Sequence, residues 1–229
     1  MRRKDVIALV VALAVGIALV LPVLGGWKHD RRQAPNASQL RGIHQGMVMY
    51  GQNNKGYFPG LDSSGAVIQT RLSGQFAMML DQNLFEPYFL ISPNETHLKE
   101  SVREGSGYVV TPANHSYAGL ELNSSGGRLG AWSETLNTGE VVLGDRNTGT
   151  DANRNVQSVW TDPSQGWGGT IVWNDNSTSF ETSHVIGTAY GQPVSKAGTA
   201  TAPAGKHHVF PSDNLFEAVG PHDAWLVHD

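Results

Sequence analysis

The chain has 229 residues, 16 Lys+Arg against 20 Asp+Glu for a net charge of −4, and no cysteine. Such a balance lacks the basic surface that nucleic acid demands, and the missing thiols exclude disulfides, iron–sulfur clusters and Cys-ligated zinc. Abundant Gly, Ser, Thr and Asn favour a loop-rich, strand-rich domain over a helical bundle.

In chain order, the first signal is Val6 to Leu24, an uncharged apolar run preceded by Arg2, Arg3 and Lys4 and followed by Trp27, Lys28, Arg31 and Arg32. As a helix it would reach roughly 28 Å, about the thickness of a bilayer's hydrocarbon core. No Ala-x-Ala-like cleavage site follows it, so it reads as an uncleaved anchor with a cytoplasmic amino end. The expected organisation is a basic end at 1–4, a transmembrane helix at 5–24 and a juxtamembrane segment at 25–37. An amphipathic stalk helix at 38–56 and a loop-rich β head at 57–229 follow. Within the stalk, Leu40, Ile43, Met47 and Tyr50 recur at helical spacing, Ser38 is a plausible N-cap, and Gly51 to Gly56 ends the run. Pro35 either starts this helix anew or kinks a longer one.

Gln69 to Leu90 looks partly helical. Beyond Pro93 the texture changes to short strands, at Tyr108–Thr111, Glu140–Leu143, Gly169–Trp173 and Thr178–Glu181. Asn174-Asp175-Asn176-Ser177 between the last two signals a hairpin turn. Residues 191–205, rich in Ala, Thr, Gly and Pro, read as a flexible loop. The fold class expected is α+β, a long N-terminal helix packed on a small antiparallel head.

Several blocks carry a family resemblance. Asp5 precedes the apolar run, which closes in Ala18-Leu19-Val20-Leu21-Pro22. Ser38-Gln39-Leu40-Arg41-Gly42-Ile43 and Met49-Tyr50-Gly51-Gln52-Asn53-Asn54-Lys55-Gly56-Tyr57-Phe58-Pro59 follow. Downstream stand Val141-Val142-Leu143-Gly144-Asp145-Arg146 and Gly168-Gly169-Thr170-Ile171-Val172-Trp173-Asn174-Asp175. In this order the chain resembles bacterial pilin-like proteins related to the major pseudopilin of type II secretion. With Met1 where the mature chain would begin, it reads as lacking the leader that ends in Gly. Gln165 and Asn176 replace the His and Gly of the family's late hairpin. The resemblance implies a non-enzymatic, single-pass structural protein of the bacterial inner membrane, its head periplasmic or extracellular. Its partners would be the bilayer and like subunits or a secretion or pilus machine. Asp5 and Pro22 would be the assembly residues, Asp5 pairing with a neighbour's amino terminus.

Few residues suggest chemistry. Asp145, Asn147, Asp151, Asn153 and Asn155 crowd oxygen atoms that calcium could accept, without EF-hand spacing; Asx turns explain them equally. His207, His208, His222 and His228 gather with Asp213, Asp223 and Asp229, but adjacent histidines in a strand point opposite ways. G-x-S-x-G, H-E-x-x-H, the P-loop and G-x-G-x-x-G are absent, so we expect no enzyme and no resident cofactor. Five N-x-[ST] sequons, at Asn36, Asn94, Asn114, Asn123 and Asn176, are what so Asn-rich a chain carries by chance. Trp132, Trp160, Trp167, Trp173 and Trp225 suggest a second reading, a membrane-tethered binding module for glycan or another polymer. That reading expects a groove lined by at least two of these tryptophans.

Overall fold

The first helix, α1, covers 32–53 in the computed structural model, which describes residues 32–122, 132–133, 138–190, 208–218 and 223–229. Leu40, Ile43 and Met47 are fully buried and Tyr50 nearly so, the stripe that helical spacing dictates. The same stripe also buries two polar side chains, Asn36 and His44. Helix α1 begins six residues before the expected N-cap. Ser38 lies inside it, its hydroxyl donating back to the Ala34 carbonyl at 2.9 Å. The helix ends where Lys55 and Gly56 take positive φ and the Gly56 amide returns to the Gly51 carbonyl at 2.8 Å.

Helix α2 (Leu72–Asp81) buries Leu72, Phe76, Met79 and Leu80. Its first amide, on Leu72, donates to the Asp229 carboxylate at 2.6 Å, so an acidic side chain sits where the helix dipole favours one. A short 3-10 turn (Pro87–Leu90) then brings Phe89 against α1 at Gly42.

Strands β1 (Val102–Glu104) and β2 (Gly107–Val109) form an exposed hairpin. The central sheet uses β3 (Tyr117–Leu120), β4 (Val141–Asp145), β5 (Gly169–Trp173), β6 (Thr178–Glu181) and β9 (Leu226–Val227). It is wholly antiparallel in the order β6-β5-β4-β3-β9. Every residue of β3 and β4 is buried, so these two strands are covered on both faces. Strands β7 (Val185–Tyr190) and β8 (His208–Asn214) form a separate two-stranded sheet with a register shift at Gly187. The Ala189 amide, donating to the Gly139 carbonyl at 2.7 Å, ties it to the chain just before β4.

Several expectations need correction. The fold is not a long N-terminal helix packed on a head: among the described residues α1 and α2 are short, and the architecture is sheet-rich. No helix among them is long and apolar enough to cross a membrane. Single-pass placement in an inner membrane therefore finds no support in the fold. The physical reason lies in α1. The segment read as a stalk carries His44 on its inward face, with Asn36 of the segment before it buried in the same stripe, and it builds the core of the domain itself. The Val6–Leu24 run and residues 191–205 lie outside the described residues. The hairpin at Asn174–Ser177 forms as expected, pairing Val172 with Thr178 and Gly169 with Glu181.

Candidate functional site

The β5–β6 turn and the β7–β8 sheet face one another across an open groove of about 490 Å³. Trp173 and Phe210, both half-buried, are its aromatic walls; Asp175 and Ser177 form one rim, and Val209 and Pro211 the other. Each wall has a local cause. Trp173 is the last residue of β5, and its indole N–H donates to Ser179 Oγ at 3.1 Å, which holds the ring. Val209 stands 72% exposed, an unusual apolar commitment to solvent for a strand residue. Gly187 lies at the β7 register shift, and a Cβ there would meet nothing nearer than the Pro211 carbonyl at 3.7 Å.

The rim is rigid because the turn is internally bonded. Asp175 Oδ1 accepts the Ser177 amide at 2.9 Å and its hydroxyl at 2.6 Å. The Ser177 hydroxyl, foremost, holds the Asp175 carboxyl below its ordinary range, so a carboxylate faces the groove at neutral pH. Asn176 takes φ 66°, the left-handed conformation Asn tolerates in turns. The arrangement offers flat apolar faces flanked by hydrogen-bonding groups.

Beneath the turn, α1 supplies a buried support. His44 is 1% exposed, with Nδ1 at 3.2 Å from Asn176 Oδ1 and Nε2 at 3.3 Å from Asn174 Oδ1. Asn174 in turn donates from Nδ2 to the Ser133 carbonyl at 3.1 Å and to Glu140 Oε2 at 3.2 Å. Burial pushes the His44 imidazole below its ordinary range, against the two amide hydrogen bonds and the Asp175 charge.

The sequence-derived candidates fall elsewhere. Asp5 and Pro22 lie outside the described residues. Asp145 turns into the core, where it accepts Asn36 Nδ2 at 2.9 and 3.1 Å and the Thr170 amide at 2.7 Å. Burial lifts its carboxyl to about 7. Asn147 Oδ1 instead accepts the Gly149 and Gln157 amides, and Asp151 Oδ1 the amides of Asn153, Arg154 and Asn155. These oxygens cap their own loop, and Asp145 does not join them. No group of three potential metal ligands occurs among the described residues. His207 and His222 lie outside those residues, whereas His228 packs against His115, the rings tilted by 47° with centroids 4.3 Å apart.

Trp132, Trp160 and Trp167 are buried and half-buried Trp225 does not line the groove, so among the described tryptophans Trp173 alone does, with Phe210 where a second was expected. Sequence reasoning missed Phe210, Gly187 and His44. The only signal for Phe210 was Val209-Phe210 before Pro211, and for His44 its position one residue after Ile43 on the apolar stripe; Gly187 carried none.

Comparison with protein-family models, with curated proteins and with solved structures finds no match. With neither a family match nor a membrane-crossing helix among the described residues, the pilin and type II secretion assignment is withdrawn.

Proposed function

We propose that this chain is a non-enzymatic binding module that takes a neutral glycan strand in the groove between the β5–β6 turn and the β7–β8 sheet. The observation that carries the reading is the pair of aromatic walls, Trp173 and Phe210, beside a hydrogen-bonding rim at Asp175 and Ser177. A β-linked sugar has the same division: its C–H face is apolar and stacks on aromatic rings, and its hydroxyl edge needs acceptors and donors. An open groove suits an extended chain better than a small enclosed ligand.

Cellohexaose titrated into the full chain, followed by tryptophan fluorescence and calorimetry, tests this. Gly187→Trp fills the groove from a position with free space and ordinary backbone, so the fold persists while binding is lost. Trp173→Ala weakens binding by about tenfold or more, as truncating an aromatic anchor does. Absence of binding to cellohexaose and to a panel of other polysaccharides, or binding undiminished in Gly187→Trp, would refute the reading.

A further inference from the structure

His44 meets the β5–β6 turn through two side chains, Asn174 and Asn176, the second standing between the rim residues Asp175 and Ser177. The hydrogen bonds around the ring have two solutions. Asn174 uses its amide hydrogens on Ser133 and Glu140, which fixes its Oδ1 as an acceptor. The Nε2 of His44 must therefore carry a proton and donate to it. The other nitrogen, Nδ1, faces Asn176 Oδ1. If the ring is an imidazolium, Nδ1 also donates and Asn176 keeps Oδ1 inward. If the ring is neutral, Nδ1 is an acceptor, and Asn176 must turn its amide to present Nδ2 instead. The two protonation states of one buried ring thus demand opposite orientations of an amide in the turn that carries Asp175 and Ser177.

We propose that His44 is a positioning residue for the groove, its protonation state setting the Asn176 amide and, through it, the turn that holds Asp175 and Ser177 at the rim. This rests on the glycan-binding reading for its consequence, but the coupling itself is a property of the unliganded protein. The charged group facing the ring is Asp175 in the same turn; Glu140 lies one side chain further, beyond Asn174, and the Phe58 ring covers an edge at 5.8 Å. Protonation places a cation beside the Asp175 carboxylate and turns the Asn176 Nδ2 outward. Burial holds the imidazole below its ordinary range, so the neutral state prevails at neutral pH and the change falls on the acid side.

The test has a ligand-free arm and a binding arm. In the unliganded full chain, the Asn176 side-chain amide and the Trp173 indole resonances shift with a single midpoint on acidification. That midpoint equals the one read from the His44 ring nitrogens. In His44→Gln, whose amide supplies one donor and one acceptor without titrating, the shift disappears while the spectrum stays folded. Cellohexaose affinity in the wild type changes by roughly fivefold or more between neutral pH and the acid side of the His44 midpoint read in the ligand-free arm, and the change is absent in His44→Gln. An Asn176 amide that ignores the His44 titration, or an affinity step that survives in His44→Gln, overturns the proposal. If no glycan binds at any pH, the binding reading fails, and the ligand-free arm still decides whether His44 controls Asn176.

Discussion

Asn36 shows how much one polar side chain can carry when it is buried at a junction. Its Nδ2 donates to Asp145 and to Thr170 Oγ1, and its Oδ1 accepts the Tyr117 hydroxyl at 2.9 Å. Removing it leaves Asp145 with the Thr170 amide and Tyr117 with Gln39 Oε1, each short of one partner inside the core. Asn36→Ala should therefore cost about 2–3 kcal/mol in urea unfolding, with the Asp145 carboxyl lifted further. A loss under half a kcal/mol would mean that the network contributes nothing net. Sequence patterning gave no hint of this clamp. A polar residue on a helical stripe reads as a break in amphipathicity, and Asn36 also sits ahead of the expected helix start. The Asn36 sequon is unusable in the folded chain for the same reason, being fully buried.

At the scale of elements, the contact between α1 and the segment after α2 depends on two glycines one turn apart. A Cβ at Gly42 would lie 2.5 Å from Phe89 Cε1, and one at Gly46 would lie 3.0 Å from Phe85 Cδ1. In an exposed helix Gly→Ala stabilises by about 1 kcal/mol. Here the helical gain is opposed by displacement of a packed ring, so Gly42→Ala should lower the thermal midpoint and Gly46→Ala should do so less. A raised midpoint in Gly42→Ala would show that Phe89 yields freely. The elements themselves were unequally legible. The Leu40–Tyr50 periodicity and the Asn-rich hairpin turn each carry their own signal within a dozen residues, and both were read from sequence. Strands β7 and β8 were not, because Gly187 interrupts one and Pro211 the other, and their pairing spans a long separation in sequence. The groove inherits that illegibility: one wall is the hairpin that could be seen, and the other is the sheet that could not.

For the whole molecule, the buried ionisable groups pull stability in opposite directions over one pH interval. His115, fully buried, is held down to about 4, chiefly by desolvation and then by the neighbouring His228. Its contribution is complete above about 6.5, the ordinary histidine value, and is lost as pH falls toward 4, because the unfolded chain takes the proton first. His44, His184 and His228 are lowered in the same sense. Asp145, lifted to about 7, does the reverse: its contribution is complete below the ordinary carboxyl range near 3.8 and is lost as pH rises toward 7. Asp213, lifted to about 6 foremost by burial, sides with Asp145. The wild type should accordingly show a shallow dependence of unfolding free energy between pH 4 and 7, the histidine and carboxyl contributions opposing each other. Asp145→Asn removes one side of that opposition. Whatever its offset in absolute stability, its curve should fall more steeply than the wild type's on acidification. His115→Gln should tilt the other way, gaining relative stability as acid is added. Urea denaturation of the three proteins across this interval reads both slopes. If Asp145→Asn parallels the wild type, the carboxyl is already ionised in the fold, and the Asn36 and Thr170 hydrogen bonds outweigh its desolvation.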